Sequence, residues 1–138
     1  MKYLAIDYGT KRTGLALCDR DETIASPFAV IEDKANLIEK IIQTVKEQSV
    51  DAVIIGLPLN MDDTEGPQAK AVRKLAEKLK NVLDLPIYLQ DERLSSFYAE
   101  DKLLNAELTE KKKRKIVNSV AAAEILQTFL ENKKRQRK

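Results

Sequence analysis

The residues of this chain that could do chemistry begin with Asp7, which follows a short apolar run and precedes a polar turn. Two glycines, Gly9 and Gly14, lie in and just after that turn. A carboxylate at the end of a strand is held rigidly and can bind a metal ion or, through one, a phosphate. Glycines allow a substrate to approach the backbone closely. The alternative is that Asp7 caps the turn and that the glycines only shape it.

Polar residues also follow two later apolar runs. Asn60 and an acidic loop follow a run rich in β-branched residues, and Asp91 and Glu92 follow the next run. Ligands gather at the carboxyl ends of parallel strands, where these residues are predicted to lie. If the three strands are neighbours, we expect these polar groups to converge with Asp7.

A polar residue near the C-terminus shares a predicted helix face with small residues. Asn118, Ala121, Ala122 and Ile125 have the spacing i, i+3, i+4 and i+7. Small residues let a helix approach a sheet closely, which would bring Asn118 towards Asp7. The alternative is that Asn118 is simply a residue at the start of a helix.

The chain contains no histidine, which excludes several kinds of chemistry. Ser-His and Cys-His nucleophile pairs, histidine general bases and histidine metal ligands are all absent. Carboxylates without histidine or clustered cysteine favour hard cations such as Mg²⁺ or Mn²⁺ over zinc.

The residue pattern predicts an α/β fold in which three hairpin-linked strands precede alternating helices and strands. The predicted order is β-β-β-α-β-α-β-α-α, which implies a mixed sheet with helices on its faces. The predicted strands lie at 3–6, 15–18, 23–31, 52–56 and 86–90, and the predicted helices at 37–49, 68–83, 95–105 and 116–130. The basic stretch 107–115 is expected to be a flexible connection.

Composition indicates one globular domain. The chain has 138 residues, of which 43% are hydrophobic and 33% charged. Its apolar runs are too short to span a membrane, so no membrane association is expected. The single Cys18 lies in an apolar strand, which favours a buried thiol and a cytoplasmic location.

Positive charge is concentrated near the C-terminus, although the net charge is only +2. The basic residues lie at 133–138 and in the cluster Lys111, Lys112, Lys113, Arg114 and Lys115. Such clusters on a near-neutral body indicate contact with a polyanion such as nucleic acid. The alternative is a solvated helix face and a frayed tail.

Four stretches resemble the YqgF family, also called RuvX or Holliday-junction-resolvase-like proteins and described as pre-16S rRNA nucleases. They are AIDYGTKRTGLA at 5–16, IGLPLNM at 55–61 with TEGP at 64–67, DERLS at 91–95 and the helix segment 119–127. They run in the family's order and cover nearly the whole chain.

This resemblance implies an RNase H-like fold and a nuclease that acts on structured nucleic acid, with a role in 16S rRNA maturation. In that fold, carboxylates from the first strand, a later strand end and the final helix hold divalent metal. Asp7 matches the first position and Glu92, with Asp91 beside it, the second. Asn118 occupies the third, where the family usually has aspartate. An amide oxygen can ligate a hard cation but brings no negative charge.

Their positions suggest roles for the residues around these ligands. Lys11, Arg12 and Arg93 could contact phosphates, and Arg93 could instead orient Glu92. The supporting loops contain Gly9, Thr10 and Asn60, together with Asp63, where the family pattern leads us to expect glycine.

Alternative functions remain open on the sequence. Asn118 favours a nucleic-acid-binding module without catalysis. A Holliday junction resolvase is a further possibility. The stretch 7–14 also resembles the first phosphate loop of actin-like phosphotransferases, although no second phosphate loop is visible. We expect residues 1–132 to form a single RNase H-like domain, 133–138 a basic tail, and the protein to be a monomer or a weak homodimer.

Overall fold

The computed structural model describes residues 1–92 and 110–136, and in the last helix it describes the side chains of residues 118–135. The strands are β1 (Tyr3–Tyr8), β2 (Thr13–Cys18), β3 (Ala25–Ile31), β4 (Ala52–Leu57) and β5 (Ile87–Asp91). The helices are α1 (Leu37–Glu47), α2 (Pro67–Val82) and α3 (Glu110–Gln136).

The five strands form one mixed sheet in the order β3-β2-β1-β4-β5. β1 pairs antiparallel with β2, and β2 with β3, while β1–β4 and β4–β5 are parallel. The predicted mixed five-stranded sheet with an antiparallel start is therefore confirmed. Its parallel strands β1, β4 and β5 are neighbours, so their carboxyl ends share one edge of the sheet.

The last helix is longer than predicted. Residues 110–115, expected to belong to a flexible connection, form the first turns of α3. They contain neither glycine nor proline, and lysine, arginine and glutamate all have high helix propensity. The same reasoning applies to its other end, where the helix continues through Gln136. The helix predicted at 95–105 lies outside the described residues.

The third strand begins two residues later than predicted, because a turn comes first. Asp19 accepts hydrogen bonds from the backbone N–H groups of Thr23 and Ile24, at 2.8 and 3.0 Å. This arrangement occupies the residues that the sequence pattern assigns to the start of the strand.

Each face of the sheet has its own hydrophobic core. On one face, α1 and α2 pack on large side chains of the central strands, among them Leu4, Ile6 and Ile55. On the other face, α3 packs on smaller ones, among them Ala5 and Ala16. The alternation of side chains along each strand explains how one sheet serves both cores.

Two expectations from composition can be compared with the structure. Cys18 is buried, with 4% of its surface exposed, as predicted. In the described part of the chain, no helix has both the length and the apolar character needed to cross a membrane.

Candidate metal centre

Asp7 lies near the end of β1 on the sheet face covered by α3. Tyr3 and Ala5 belong to the core beneath α3, and Asp7 continues the same alternation. The side chain is therefore placed at the carboxyl edge of the parallel strands. This is the position that the sequence predicts for it.

Glycines flank Asp7 on both neighbouring strands. Gly14 of β2 is its direct partner, and Gly56 of β4 lies one step beyond the Ile6–Ile55 pair. A Cβ on Gly14 would overlap the backbone of Asn118. A Cβ on Gly56 would lie only 2.5 Å from Oε2 of Glu92. The glycines thus create the space into which the other two site residues enter.

Glu92 reaches the site from the end of β5. Its backbone N–H donates to the carbonyl of Leu57 at 3.2 Å, which extends the pairing of β5 with β4. Its side chain passes over Gly56 and forms a hydrogen bond with Asp7. The structure therefore brings together two acidic residues that are 85 positions apart in the chain (92 minus 7).

Asn118 completes the group from α3. Its side chain forms a hydrogen bond with Asp7 that favours the ionised carboxylate, so the amide NH₂ is the donor. The turn of residues 9–12 lies close to it: a Cβ on Gly9 would be 3.2 Å from Nδ2 of Asn118. Asn118 therefore belongs to α3 and also contacts Asp7, which keeps it a candidate site residue.

The two carboxyl groups have raised pKa values. Burial raises the pKa of Asp7 from 3.8 to about 6, against the lowering effect of hydrogen bonds from Glu92 and Asn118. Burial raises the pKa of Glu92 from 4.5 to about 7, and the negative charge of Asp7 and its hydrogen bond add to this effect. Because a hydrogen bond between two carboxyl groups requires a proton, the pair shares one proton at a pH near or below these values when no cation is bound.

This donor set fits a hard divalent cation. Two carboxylates and an amide oxygen are all oxygen ligands, as Mg²⁺ and Mn²⁺ prefer. A cation could replace the shared proton and relieve the repulsion between the two charges.

Asp91, predicted as a further ligand, does not extend this donor set to a third carboxylate. Among the described residues, no group of three acidic, cysteine or histidine side chains is placed to hold a metal ion. Asp91 and Glu92 are consecutive, so their side chains leave the end of β5 in different directions. The charge of Asp91 instead contributes to the raised pKa of Glu92.

Two loops support the edge that carries Asp7. The N–H of Gly9 donates to the carbonyl of Arg12 at 2.9 Å and closes the first turn, in which Thr10 is exposed. In the second loop, Asn60 bonds to Thr64 through its backbone N–H and its side-chain amide, each at 2.9 Å. Asn60 thus forms hydrogen bonds within this loop, and its role in supporting the site stays a prediction.

The departure at Asp63 has a structural explanation. Asp63 has a φ of 69°, the left-handed conformation that glycine adopts most easily and that aspartate tolerates better than most residues. Aspartate can therefore stand at this position, where glycine is expected, in a conformation that glycine favours. In the described structure, Asp63 is not in a cluster of three potential metal ligands.

The residues predicted to contact phosphate differ in their exposure and in their partners. Lys11 is exposed in the turn beside Asp7, whereas Arg12 donates to Glu32 at 3.1 Å. Arg93 lies outside the described residues. The backbone at Lys111, Lys112, Lys113, Arg114 and Lys115 is helical and leads directly to Asn118.

Sequence reasoning did not anticipate how three residues build the site. Gly14 and Gly56 leave room for Asn118 and Glu92 because they have no side chain. The side-chain amide of Gln68 in α2 donates to the carbonyl of Tyr8 at 2.5 Å and connects α2 to the end of β1. The role of the glycines could have been found by noting that each lies at the carboxylate-bearing edge on the α3 face. No pattern in the sequence identifies Gln68.

Two solved structures of proteins bound to Holliday junction DNA share this fold. The fowlpox virus resolvase in complex with Holliday junction DNA aligns with a TM-score of 0.60 and 14% identity over 96% of this chain and 98% of that chain. Thermus thermophilus RuvC in complex with a Holliday junction aligns with a TM-score of 0.58 and 13% identity, over 98% and 96%. At these identities the likeness shows the fold, which is the RNase H-like fold of resolvases.

Sequence comparison is more specific. The RuvX family, described as Holliday junction resolvase, matches residues 1–132, and the chain belongs to this family. A relative from Maridesulfovibrio salexigens is 42% identical over 94% of this chain and 98% of its own length. One from Bacillus mycoides is 37% identical over 96% and 100%. Both relatives are named "Putative pre-16S rRNA nuclease". Fold and family together place the chain among nucleases, and resolvase-like nucleases generally use divalent metal ions.

Proposed function

We propose that this protein is a metal-dependent endonuclease that hydrolyses phosphodiesters in structured nucleic acid and takes part in 5′-end maturation of pre-16S rRNA. The observation that carries the proposal is the Asp7–Glu92 pair, two carboxyl groups in hydrogen-bond contact at the edge where three parallel strands end. The names of the sequence relatives support the choice of rRNA.

The metal would be Mg²⁺ or Mn²⁺, held by Asp7 and Glu92, with the amide oxygen of Asn118 as the available third ligand. When bound, such an ion polarises a phosphate oxygen and makes a water molecule more acidic. The site offers two negative charges rather than three, which favours one ion over two.

The chain's own residues prepare this site in defined ways. The shared proton leaves the Asp7–Glu92 pair, so that both carboxylates can act as ligands. Asn118 orients the carboxylate of Asp7 by its hydrogen bond. Lys11, exposed in the adjoining turn, contacts a neighbouring phosphate of the substrate.

The test compares Asp7→Asn and Glu92→Gln with the unmodified protein. The substrates are a labelled precursor fragment spanning the 5′ end of 16S rRNA and a branched DNA of similar size, each assayed over a titration of Mn²⁺ and of Mg²⁺. We expect both substitutions to abolish metal-dependent cleavage, because each removes a ligand charge while preserving shape. Asp84→Asn, a substitution after α2 and away from the carboxyl pair, is the matched control and should cleave normally. Cleavage that survives Asp7→Asn in highly purified protein would refute the proposal.

A second candidate function, a binding module without catalysis, is favoured by one observation: Asn118 occupies the third ligand position of the site. The substitution Asn118→Asp separates the two functions. If the protein is an enzyme, both forms cleave and the variant needs less Mn²⁺. If it is a binding module, the unmodified protein binds RNA without cleaving it, while the variant gains cleavage or remains inactive.

A further inference from the structure

A cavity of 180 Å³ lies between α1 and α2, on the sheet face opposite the carboxyl pair. Three lysines, Lys34, Lys74 and Lys78, line it together with Tyr8 and the apolar side chains of the two helices. Lys34 lies with its Nζ 5.2 Å from the centre of the Tyr8 ring, a cation–π contact that keeps the amine beside the end of β1. Three positive charges therefore surround one small cavity.

Two other cations on α2 have acidic partners. Arg73 forms a bidentate pair with Glu65, at 2.5 and 2.8 Å, and Lys80 lies 4.0 Å from Glu77. In the part of the chain that the structure describes, no acidic side chain forms an ion pair with the three cavity lysines.

The acidic residues that precede α1 also have partners of their own. Glu32 accepts a hydrogen bond from Arg12, and Asp33 accepts one from the side chain of Asn36 at 2.8 Å. Lys74 and Lys78 are one helical turn apart, a spacing at which like charges repel. An anion in the cavity would relieve this repulsion.

We propose that the cavity formed by Lys34, Lys74, Lys78 and Tyr8 is a second phosphate-binding site for the nucleic acid that the carboxyl pair cleaves. This inference rests on the proposed nuclease function for the identity of the polyanion. The ligand chemistry is a backbone phosphodiester, because three lysine amines on flexible stems bind phosphate as point charges and carry no sequence preference.

The position of the cavity indicates whether it suits folded or single-stranded nucleic acid. Asp7 and Tyr8 are consecutive in β1, so their side chains point to opposite faces of the sheet. Gln68 ties α2 to the carbonyl of Tyr8, which fixes the cavity at the same edge. A nucleic acid that occupies both sites must straddle this edge. Two strands of a duplex or of a folded RNA can do so, and the arrangement therefore favours structured nucleic acid over a single strand.

The experiment measures binding separately from cleavage. The Asp7→Asn form is used in EDTA, and its affinity for a fluorescent RNA stem-loop, and for a DNA stem-loop of the same sequence, is measured by anisotropy from low to high salt. Lys34→Gln, Lys74→Gln and Lys78→Gln are combined in one variant. The control variant combines Lys40→Gln, Lys46→Gln and Lys80→Gln, the same change of charge at exposed positions on α1 and α2. Circular dichroism confirms that both variants are folded.

We expect the cavity variant to bind more weakly and its plot of log affinity against log salt to be less steep by about 2 to 3 units, roughly one for each phosphate that the lysines no longer neutralise. The control variant should change the slope by less than about 1. Equal slopes for the two variants, or an unchanged slope in the cavity variant, would overturn the proposal. A smaller effect on a single strand of the same length is also expected, and an equal effect would refute the straddling arrangement.

Chemical footprinting locates the contact directly. Lysine acetylation read by mass spectrometry should show Lys34, Lys74 and Lys78 protected by the stem-loop, and Lys46 unprotected. If the unmodified protein never cleaves with Mn²⁺ but this protection and the slope difference are present, the nuclease proposal fails and the binding site stands. If the protein cleaves but the three lysines are not protected, the nuclease proposal stands and the binding site is refuted.

Discussion

The two faces of the sheet differ in the size of the side chains that the central strands carry. Beneath α1 and α2, the central strands carry leucine, isoleucine and valine, and the core is filled. Beneath α3, the same strands carry Gly14, Asp7 and Gly56 in a row across the sheet edge, and the space is used by Asn118 and Glu92. The comparison teaches that both faces contain a hydrophobic core, but that the α3 face gives up packing at the sheet edge to assemble a polar site.

The strongest test of this contrast adds volume to the α3 face. Gly14→Val should destabilise the protein by about 3 kcal/mol, because the new side chain collides with the backbone of α3 at Asn118. Cleavage should be lost as well, because Asn118 is displaced from Asp7. Urea unfolding measures the first effect and a cleavage assay the second.

The control adds a side chain where there is room. Gly66→Ser, at the start of α2, meets no atom closer than 3.9 Å and introduces a favourable N-cap, so stability should change by less than about 0.5 kcal/mol. If Gly14→Val were as stable as Gly66→Ser, the close approach of α3 would not be a constraint.

Removing volume should destabilise the other face. Leu79 of α2 is fully buried against the sheet, and Leu79→Ala should cost about 2–4 kcal/mol in unfolding free energy by leaving a cavity. Cleavage per folded molecule should remain normal, because this residue packs on the face opposite the carboxyl pair. A specific loss of kcat in the folded protein would show that the two faces are not separable.

A third test uses pH. In the folded protein, Asp7 and Glu92 have pKa values of about 6 and 7, above their ordinary values of 3.8 and 4.5. The folded state therefore binds protons more tightly, so without metal the stability from this pair should be greatest below about pH 4 and should fall as the pH rises to about 7. Thermal melts in EDTA across this range measure the effect.

Two changes should reduce this pH dependence. Asp7→Asn should make the curve less steep and raise the melting temperature at pH 8, because it eliminates the repulsion between the two charges, while burial still raises the pKa of Glu92. Saturating Mn²⁺ should do the same for the unmodified protein at pH 8 and very little at low pH, where protons compete. A metal response that is independent of pH would argue against the carboxyl pair as the ligands.

The smallest expected effect lies at Thr13. Its hydroxyl is buried, the residue being 1% exposed, and it has no hydrogen-bond partner in the described structure. Thr13→Val preserves the shape and removes the unpaired group, so it should stabilise the fold by about 1 kcal/mol. Thr13→Ser is the control and should destabilise, because it removes the methyl group and retains the hydroxyl.

Much of the fold could be predicted because local residue patterns determine where most strands and helices form. The hairpin around Gly9, the buried strand Ala52–Leu57 and the apolar face of α2 all follow from residue spacing. The extra length of α3 could not be read in this way. Residues 110–115 have no apolar periodicity, and only their helix propensity and the absence of breakers indicate the outcome.

The sequence predicted which strand ends carry the carboxylates of the candidate site, but it did not predict how neighbouring residues are placed around them. Asp7 and Glu92 stand at strand ends, and strand ends of a parallel sheet meet. Whether Asp91 or Glu92 faces the site depends on the register of β5, in which Leu57 pairs with Asp91 and the following residue crosses Gly56. That register is a tertiary property, so the sequence left both residues as candidates.

One contact further along α3 has a consequence for the position of Asn118. The side chain of Gln127 accepts a hydrogen bond from the N–H of Ala25 at 3.0 Å and donates one to the carbonyl of Thr23 at 3.4 Å. Gln127 follows Asn118 by nine positions (127 minus 118), a distance of about 13 Å along a helix. Because a helix is rigid, hydrogen bonds at one point along it prevent it from shifting along its axis. The two hydrogen bonds of Gln127 therefore fix the position of Asn118 relative to Asp7. Selection for catalysis would therefore also act on a residue two and a half helical turns away from the reacting groups.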